Sequence, residues 1–148
     1  MRIEALIETL PPAVPGQERV VVVGGSAGTL DLLRLATVRS ENVVLLTQAY
    51  DEAVGRYARH FAVSIELRQA EAEDFREADL AIIATEDARQ DARALRLARR
   101  HGVPAHVWGQ VHLSDFSLIA MLEWHPSSVR RRRPHLATVR EAPVARVG

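Results

Sequence analysis

Hydrophobic positions in this chain fall into two alternating patterns. Short apolar runs recur at 19–23 (Arg-Val-Val-Val-Val), 42–46 (Asn-Val-Val-Leu-Leu), 80–84 (Leu-Ala-Ile-Ile-Ala) and 105–108 (Ala-His-Val-Trp). The first three, by length and β-branched content, predict strands buried on both faces, and the last predicts a further short strand. The run 63–67 (Val-Ser-Ile-Glu-Leu) instead alternates, which predicts a sheet-edge strand with one wet face. Between the runs, apolar residues take helical spacing. A first helix is expected at about 28–38, and a second after Asp51, its N-cap, carrying Val54, Tyr57, Ala58 and Phe61. The acidic stretch 70–78 predicts a short helix or loop. A third amphipathic helix at 88–101 carries Ala92, Leu95 and Ala98 and is stopped by Gly102 and Pro104. Ahead of all this, Ile3, Leu6, Ile7 and Leu10 space like a short helix face that Pro11-Pro12 ends.

Strands alternating with helices, with continuous Val/Ile/Leu strands, imply a parallel sheet covered on both faces. Right-handed crossovers make it an α/β, doubly wound, Rossmann-like sheet. Ligands of such sheets sit at the carboxyl ends of the strands. Here those ends are 24–29, Thr47-Gln48, 85–87 and 108–110. The pattern divides the chain into a dinucleotide-binding domain at 1–113 and an extension at 114–148. The tail holds one further strand candidate at 136–139, expected to form a short C-terminal β extension completed by a second subunit in a homodimer.

Composition narrows the chemistry. The chain has 148 residues, enough for one domain with a real core, and a formal net charge of zero. Nothing global attracts nucleic acid or a membrane. There is no cysteine, which excludes disulfides, thiolate metal sites and thiol nucleophiles. Every basic residue of the Lys/Arg class is arginine, as a GC-rich genome would give, so Schiff-base and P-loop lysines are excluded. No apolar run reaches membrane-spanning length and the N-terminus lacks a signal-peptide pattern, so a cytoplasmic protein is expected.

The candidate cofactor site is the turn Gly24-Gly25-Ser26-Ala27-Gly28-Thr29 between the first strand and first helix. A dinucleotide needs a glycine for the bend, a glycine where backbone meets pyrophosphate, and a small residue for helix packing. Gly24 serves the first. Ser26 crowds the second yet offers a hydroxyl, and Thr29 is bulky for the third. The alternative is a turn that merely joins strand to helix. Thr47 and Gln48 end the second strand, where a ribose-binding acid would select NAD, and no arginine sits there to select NADP. Thr85, Glu86 and Val107 complete the candidate contacts, with Asp87 or Thr85 an N-cap in any case. His106, Gln110, His112 and Asp115 cluster past the last strand. His112 and Asp115 are weak candidates for moving protons; the plain reading is a solvated loop with a capping aspartate, and two ligands fall short of a zinc site. The run Arg130, Arg131, Arg132, Arg133 reads as a solvated loop, a carboxylate clamp or, without aromatic interleaving, a poor nucleic-acid site.

Four segments together resemble the NAD-binding module of siroheme synthase and the free-standing precorrin-2 dehydrogenases. They are 19–29 (RVVVVGGSAGT), 75–87 (FREADLAIIATED), 99–108 (RRHGVPAHVW) and Ser114-Asp115-Phe116, with a faint echo at 137–146. The resemblance implies an NAD- or NADP-dependent oxidoreductase of tetrapyrrole synthesis, its substrate's acetate and propionate groups held by the arginine run. It also marks departures. Gly109 stands where the family has an aspartate implicated in the chemistry, Val111 replaces a proline, Ser26 replaces the third glycine of the turn, and Asp31-Leu32 replaces an Arg-Lys pair. The alternative it leaves is a catalytically degenerate homologue that binds a nucleotide or tetrapyrrole as a sensor or partner subunit. A plain interaction domain is a third possibility.

Overall fold

In a computed structural model, residues 16–118 are described. The leader helix face, the strand at 136–139 with its dimer role, and the run Arg130 to Arg133 lie outside them. Five strands run in chain order, β1 (Gly16–Gly24), β2 (Ser40–Thr47), β3 (Ser64–Leu67), β4 (Leu80–Ala84) and β5 (Ala105–Val107). They form one parallel sheet in the order β3-β2-β1-β4-β5. The helices are α1 (Thr29–Arg39), α2 (Glu52–His60), α3 (Ala72–Arg76) and α4 (Ala88–Arg100). This is the Rossmann-like sheet expected, with β3 at the edge.

Differences from the sequence expectations fall at element ends and on three apolar positions: Phe61 and Leu67 are exposed at the ends of their elements, and Ala92 is exposed while Ala94 takes the buried face of α4. β1 begins at Gly16 rather than Arg19, and β2 runs from Ser40 to Thr47. The extra residues gain ladder partners, because Gly16 pairs with Ser40 across a register shift. Strand ends are fixed by the neighbouring strand, which a one-dimensional pattern does not contain. The N-caps follow local chemistry. Asp51 accepts the Val54 N–H at 2.9 Å, and Asp87, not Thr85, caps α4 by accepting the Arg89 and Gln90 N–H groups. Gly102 ends α4 at φ 69°.

The period-two rule sorts β1 onto two faces. Val20 and Val22 pack with Leu32, Leu33 and Val54 beneath α1 and α2, while Val21 and Val23 pack with Phe75, Leu95 and Ala98 beneath α3 and α4. Both faces are dry, which is why the sequence shows no alternation here. The dipeptide Asp79-Leu80 sets the register between β1 and β4. The Asp79 carboxylate accepts the Arg19 N–H at 2.9 Å, and its own N–H donates to the Arg19 carbonyl at 2.8 Å.

Among the described residues Phe75 is the largest fully buried side chain, and it fills the layer under α3 and α4. Phe75→Ala should cost about 3–5 kcal/mol in urea unfolding, through lost transfer energy and a residual cavity.

Candidate nucleotide-binding cleft

Strand order reverses between β1 and β4, and their carboxyl ends diverge there into oppositely directed connections. Gly24 sits beside Ala84 in the ladder at φ 156°. A Cβ on Gly24 would stand 2.2 Å from the Ala84 carbonyl oxygen, so only glycine permits this approach. Gly25 is as constrained on its other side, where a Cβ would meet Thr47 Oγ1 at 2.7 Å and the Ala49 carbonyl at 2.8 Å. Both glycines serve strand packing whether or not a ligand is bound.

Two neighbouring clefts open over this turn. The first, of ≈ 200 Å³, lies between Gly24-Gly25, the ends of β2 and β3, and the first turns of α4. The second, of ≈ 270 Å³, lies between residues 25–29 at the N-terminus of α1 and the β2–α2 connection at Tyr50 and Asp51. Gly25 and Ala49 line both. The hydroxyls of Ser26 and Thr29 are buried and have no hydrogen-bond partner among the described residues. An orphaned buried hydroxyl is costly, and a pair of them at a helix N-terminus matches the donor demand of a phosphate. Ser26 and Thr29 line the second cleft together with Gly25 and Ala27, so this stretch is suited to hold the pyrophosphate of a dinucleotide. Thr29, 1% exposed, also fills the helix-packing position for which it seemed bulky. Gly28 is the N-cap of α1 and lies under Trp108; a Cβ there would stand 3.1 Å from the indole.

The other sequence candidates separate. Gln48 is exposed and lines the first cleft. Thr47 also lines it, but its hydroxyl donates to the Ala49 carbonyl at 2.7 Å and so closes its own turn. Thr85 reaches the cleft with its N–H and hydroxyl both donating to Asp91, at 3.0 and 2.6 Å. Glu86 is exposed and holds a left-handed φ of 63°, unusual for a side chain with a Cβ. Val107 is buried in the core, and its N–H donates to Ser114 Oγ at 2.8 Å.

His112 and Asp115 are not hydrogen-bonded to each other among the described groups. Asp115 instead pairs with the outer edge of β5 as a neighbouring strand would: its carboxylate accepts the Ala105 N–H at 2.9 Å and its N–H donates to the Ala105 carbonyl at 2.8 Å. With Ser114 on Val107, the Ser-Asp pair satisfies the outer edge of β5. His112 is exposed on the 3-10 turn Val111–Leu113. His106 is buried, its Nδ1 2.9 Å from the Phe116 carbonyl. Gly109 has φ 76° and nothing within 4 Å of where a Cβ would stand. Among the described residues there is no cluster of three metal-ligating side chains.

Sequence reasoning missed Arg68, Gln69, Gln90 and Arg93, which line the first cleft. The rule that singled out the other strand ends applies equally to β3, whose end delivers Arg68. The spacing of Gln90, Arg93 and Ala94 puts them on one face of α4. Arg68 grips Asp74 through Nη1 at 2.8 Å and Nη2 at 2.6 Å. Burial pushes the Asp74 carboxyl up, but Arg68 and the Glu71 N–H outweigh it and hold it below its ordinary value. Hydrogen bonds donated to Asp74 and then to Glu66 raise the Arg68 guanidinium further above its usual range.

A doubly wound parallel sheet with clefts at its switch point defines a Rossmann-like protein. Residues 14–120 match the family model NAD_binding_7, described as NAD(P)-binding, and the chain belongs to that family. NAD(P) is therefore its cofactor. No curated protein sequence matches the chain. Among solved structures, it is similar to SirC, a precorrin-2 dehydrogenase, at 13% identity and a TM-score of 0.46. That alignment covers 56% of this chain and 42% of the other, so this chain matches less than half the length of that protein. No described helix is long and apolar enough to cross a membrane.

Two outcomes test the roles assigned to the aspartates. Asp115→Ala should lose about 1–3 kcal/mol of stability in urea by orphaning the Ala105 N–H, while Asp115→Asn should keep most of it. For Asp74, a folded-state value below the unfolded one means that its contribution is present above the unfolded pKa and is lost as pH falls through the folded one. The stability gap between wild type and Asp74→Asn should therefore be full above about pH 5 and close progressively below about pH 4, read by thermal melts across that range.

Proposed function

We propose that this chain is an NAD(P)-dependent oxidoreductase whose substrate is a reduced tetrapyrrole of the precorrin-2 type. The observation that carries the reading is the pair of clefts flanking Gly25, one at the end of β3 and one at the N-terminus of α1, the second lined by Ser26 and Thr29, whose hydroxyls have no partner among the described residues. Membership in the NAD(P)-binding family and the four sequence segments that resemble precorrin-2 dehydrogenases support it. When bound, the nicotinamide supplies the hydride acceptor. The chain's own part is positional. Residues 25–29 hold the pyrophosphate, and Trp108 over Gly28 walls the turn on the β5 side. No acid or base is built into that wall: Gly109 offers no side chain, and Asp115 is spent on β5. The proton released with the hydride then passes to solvent.

Those same two observations favour a second reading, a nucleotide-binding homologue without turnover that acts as a sensor or partner subunit. Cofactor and substrate titrations separate the two. NAD should quench the fluorescence of Trp108, a change lost in Trp108→Phe. With precorrin-2 added, NADH absorbance should grow. Quenching without NADH rejects the dehydrogenase and leaves the binding homologue, whereas the absence of NAD and NADP binding rejects both. Gly109→Asp has the room it needs and, since aspartate tolerates a left-handed φ, should fold and raise turnover if a base is what the site lacks.

A further inference from the structure

The first cleft carries a second message, about the base of the nucleotide, and it rests on the NAD(P) reading of the crevice. Arg68 lines this cleft, yet its N–H edges are already taken. Nε donates to Glu66 Oε1 at 2.9 Å. Nη1 donates to the Gln69 carbonyl at 3.0 Å and to Asp74 Oδ2 at 2.8 Å. Nη2 donates to Asp74 Oδ1 at 2.6 Å and lies 2.8 Å from Glu66 Oε1. A guanidinium donates only in its plane. With its in-plane donors occupied, Arg68 has no fork to offer a phosphate; only its flat faces are left to interact.

We infer that Arg68 is a stacking shelf for the adenine ring of the dinucleotide. A planar, weakly hydrated cation stacks on an aromatic π-face, and adenine is the one large aromatic group in the half of the cofactor beyond the pyrophosphate. The Asp74 and Glu66 carboxylates fix the plane in advance, so little side-chain freedom is lost on binding. Asp74 is itself pinned by the Glu71 N–H at 2.6 Å, and the Arg93 guanidinium holds the Ala70 carbonyl at 2.6 Å, so the segment carrying the shelf is braced against α4. Gln48, Gln69 and Gln90 line the same cleft, and their amides have no hydrogen-bond partner among the described residues. An amide pairs both a donor and an acceptor with the edge of adenine. A purine site thus sits beside a phosphate site, the two halves joined at Gly25 and Ala49.

Arg68→Lys tests this, because it keeps the charge facing Asp74 and removes the plane. Calorimetry with NAD and with ADP-ribose, at a temperature where circular dichroism shows the variant folded, should show affinity falling about tenfold for both. The wild-type protein supplies a measurement that no folding defect disturbs. On adding ADP-ribose, the Arg68 Nε–H resonance should move upfield through the ring current, whereas nicotinamide mononucleotide, which lacks adenine, should leave it in place. Full affinity in Arg68→Lys, or a resonance that ADP-ribose does not move, overturns the shelf while the NAD(P) site stands. Failure of the wild type to bind NAD, NADP or ADP-ribose overturns both.

Discussion

The structure turns on how closely β1 and β4 approach at their carboxyl ends. With 2.2 Å between the Ala84 carbonyl and the place where a Cβ on Gly24 would stand, any side chain would force the strands apart. That contact lies at the switch point, where the chain leaves β1 toward α1 on one face and β4 toward α4 on the other. Because the connections diverge, a crevice must open above the contact. The glycine that lets the sheet close is therefore also the floor of the cleft. The fold and the binding site share one steric requirement.

Around that floor, short polar side chains finish what the ladders leave undone. Asp79 ties the start of β1 to β4, Asp91 holds the N–H and hydroxyl of Thr85, and Ser114 with Asp115 covers the outer edge of β5. Each satisfies backbone groups that would otherwise be exposed or unpaired. Several of these residues sit in the segments through which the chain resembles precorrin-2 dehydrogenases, so part of that resemblance has a structural cause. Asp115 is the clearest case, a carboxylate whose bonds hold the start of β5.

The two halves of the cleft differ in chemistry for a related reason. At the α1 end, buried hydroxyls have no partner among the described residues and the helix N-terminus lines the cleft, which suits an anion. At the β3 end, carboxylates have already claimed the guanidinium of Arg68, which suits a neutral ring. A polarity gradient of this kind orients an elongated ligand that carries phosphate at its centre and a base at its end.

The sequence by itself determined the fold. Val20 to Val23 can only be a strand dry on both sides, the stretches between strands carry helical spacing, and Asp51 and Gly102 mark helix ends through purely local geometry. It also located the glycine turn, because the demand for small residues there is local. What it did not determine was which polar residues were free to act. Asp115, read first as a capping aspartate and only weakly as a proton carrier, is bonded to Ala105; Thr47, a candidate cofactor contact, closes its own turn; Arg68 passed unnoticed at the end of an edge strand and lines the cleft. Hydrogen bonds between residues distant in the chain spend the donors and acceptors of these groups. Only the tertiary structure decides which side chain is left with a face, a hydroxyl or an amide to give a ligand.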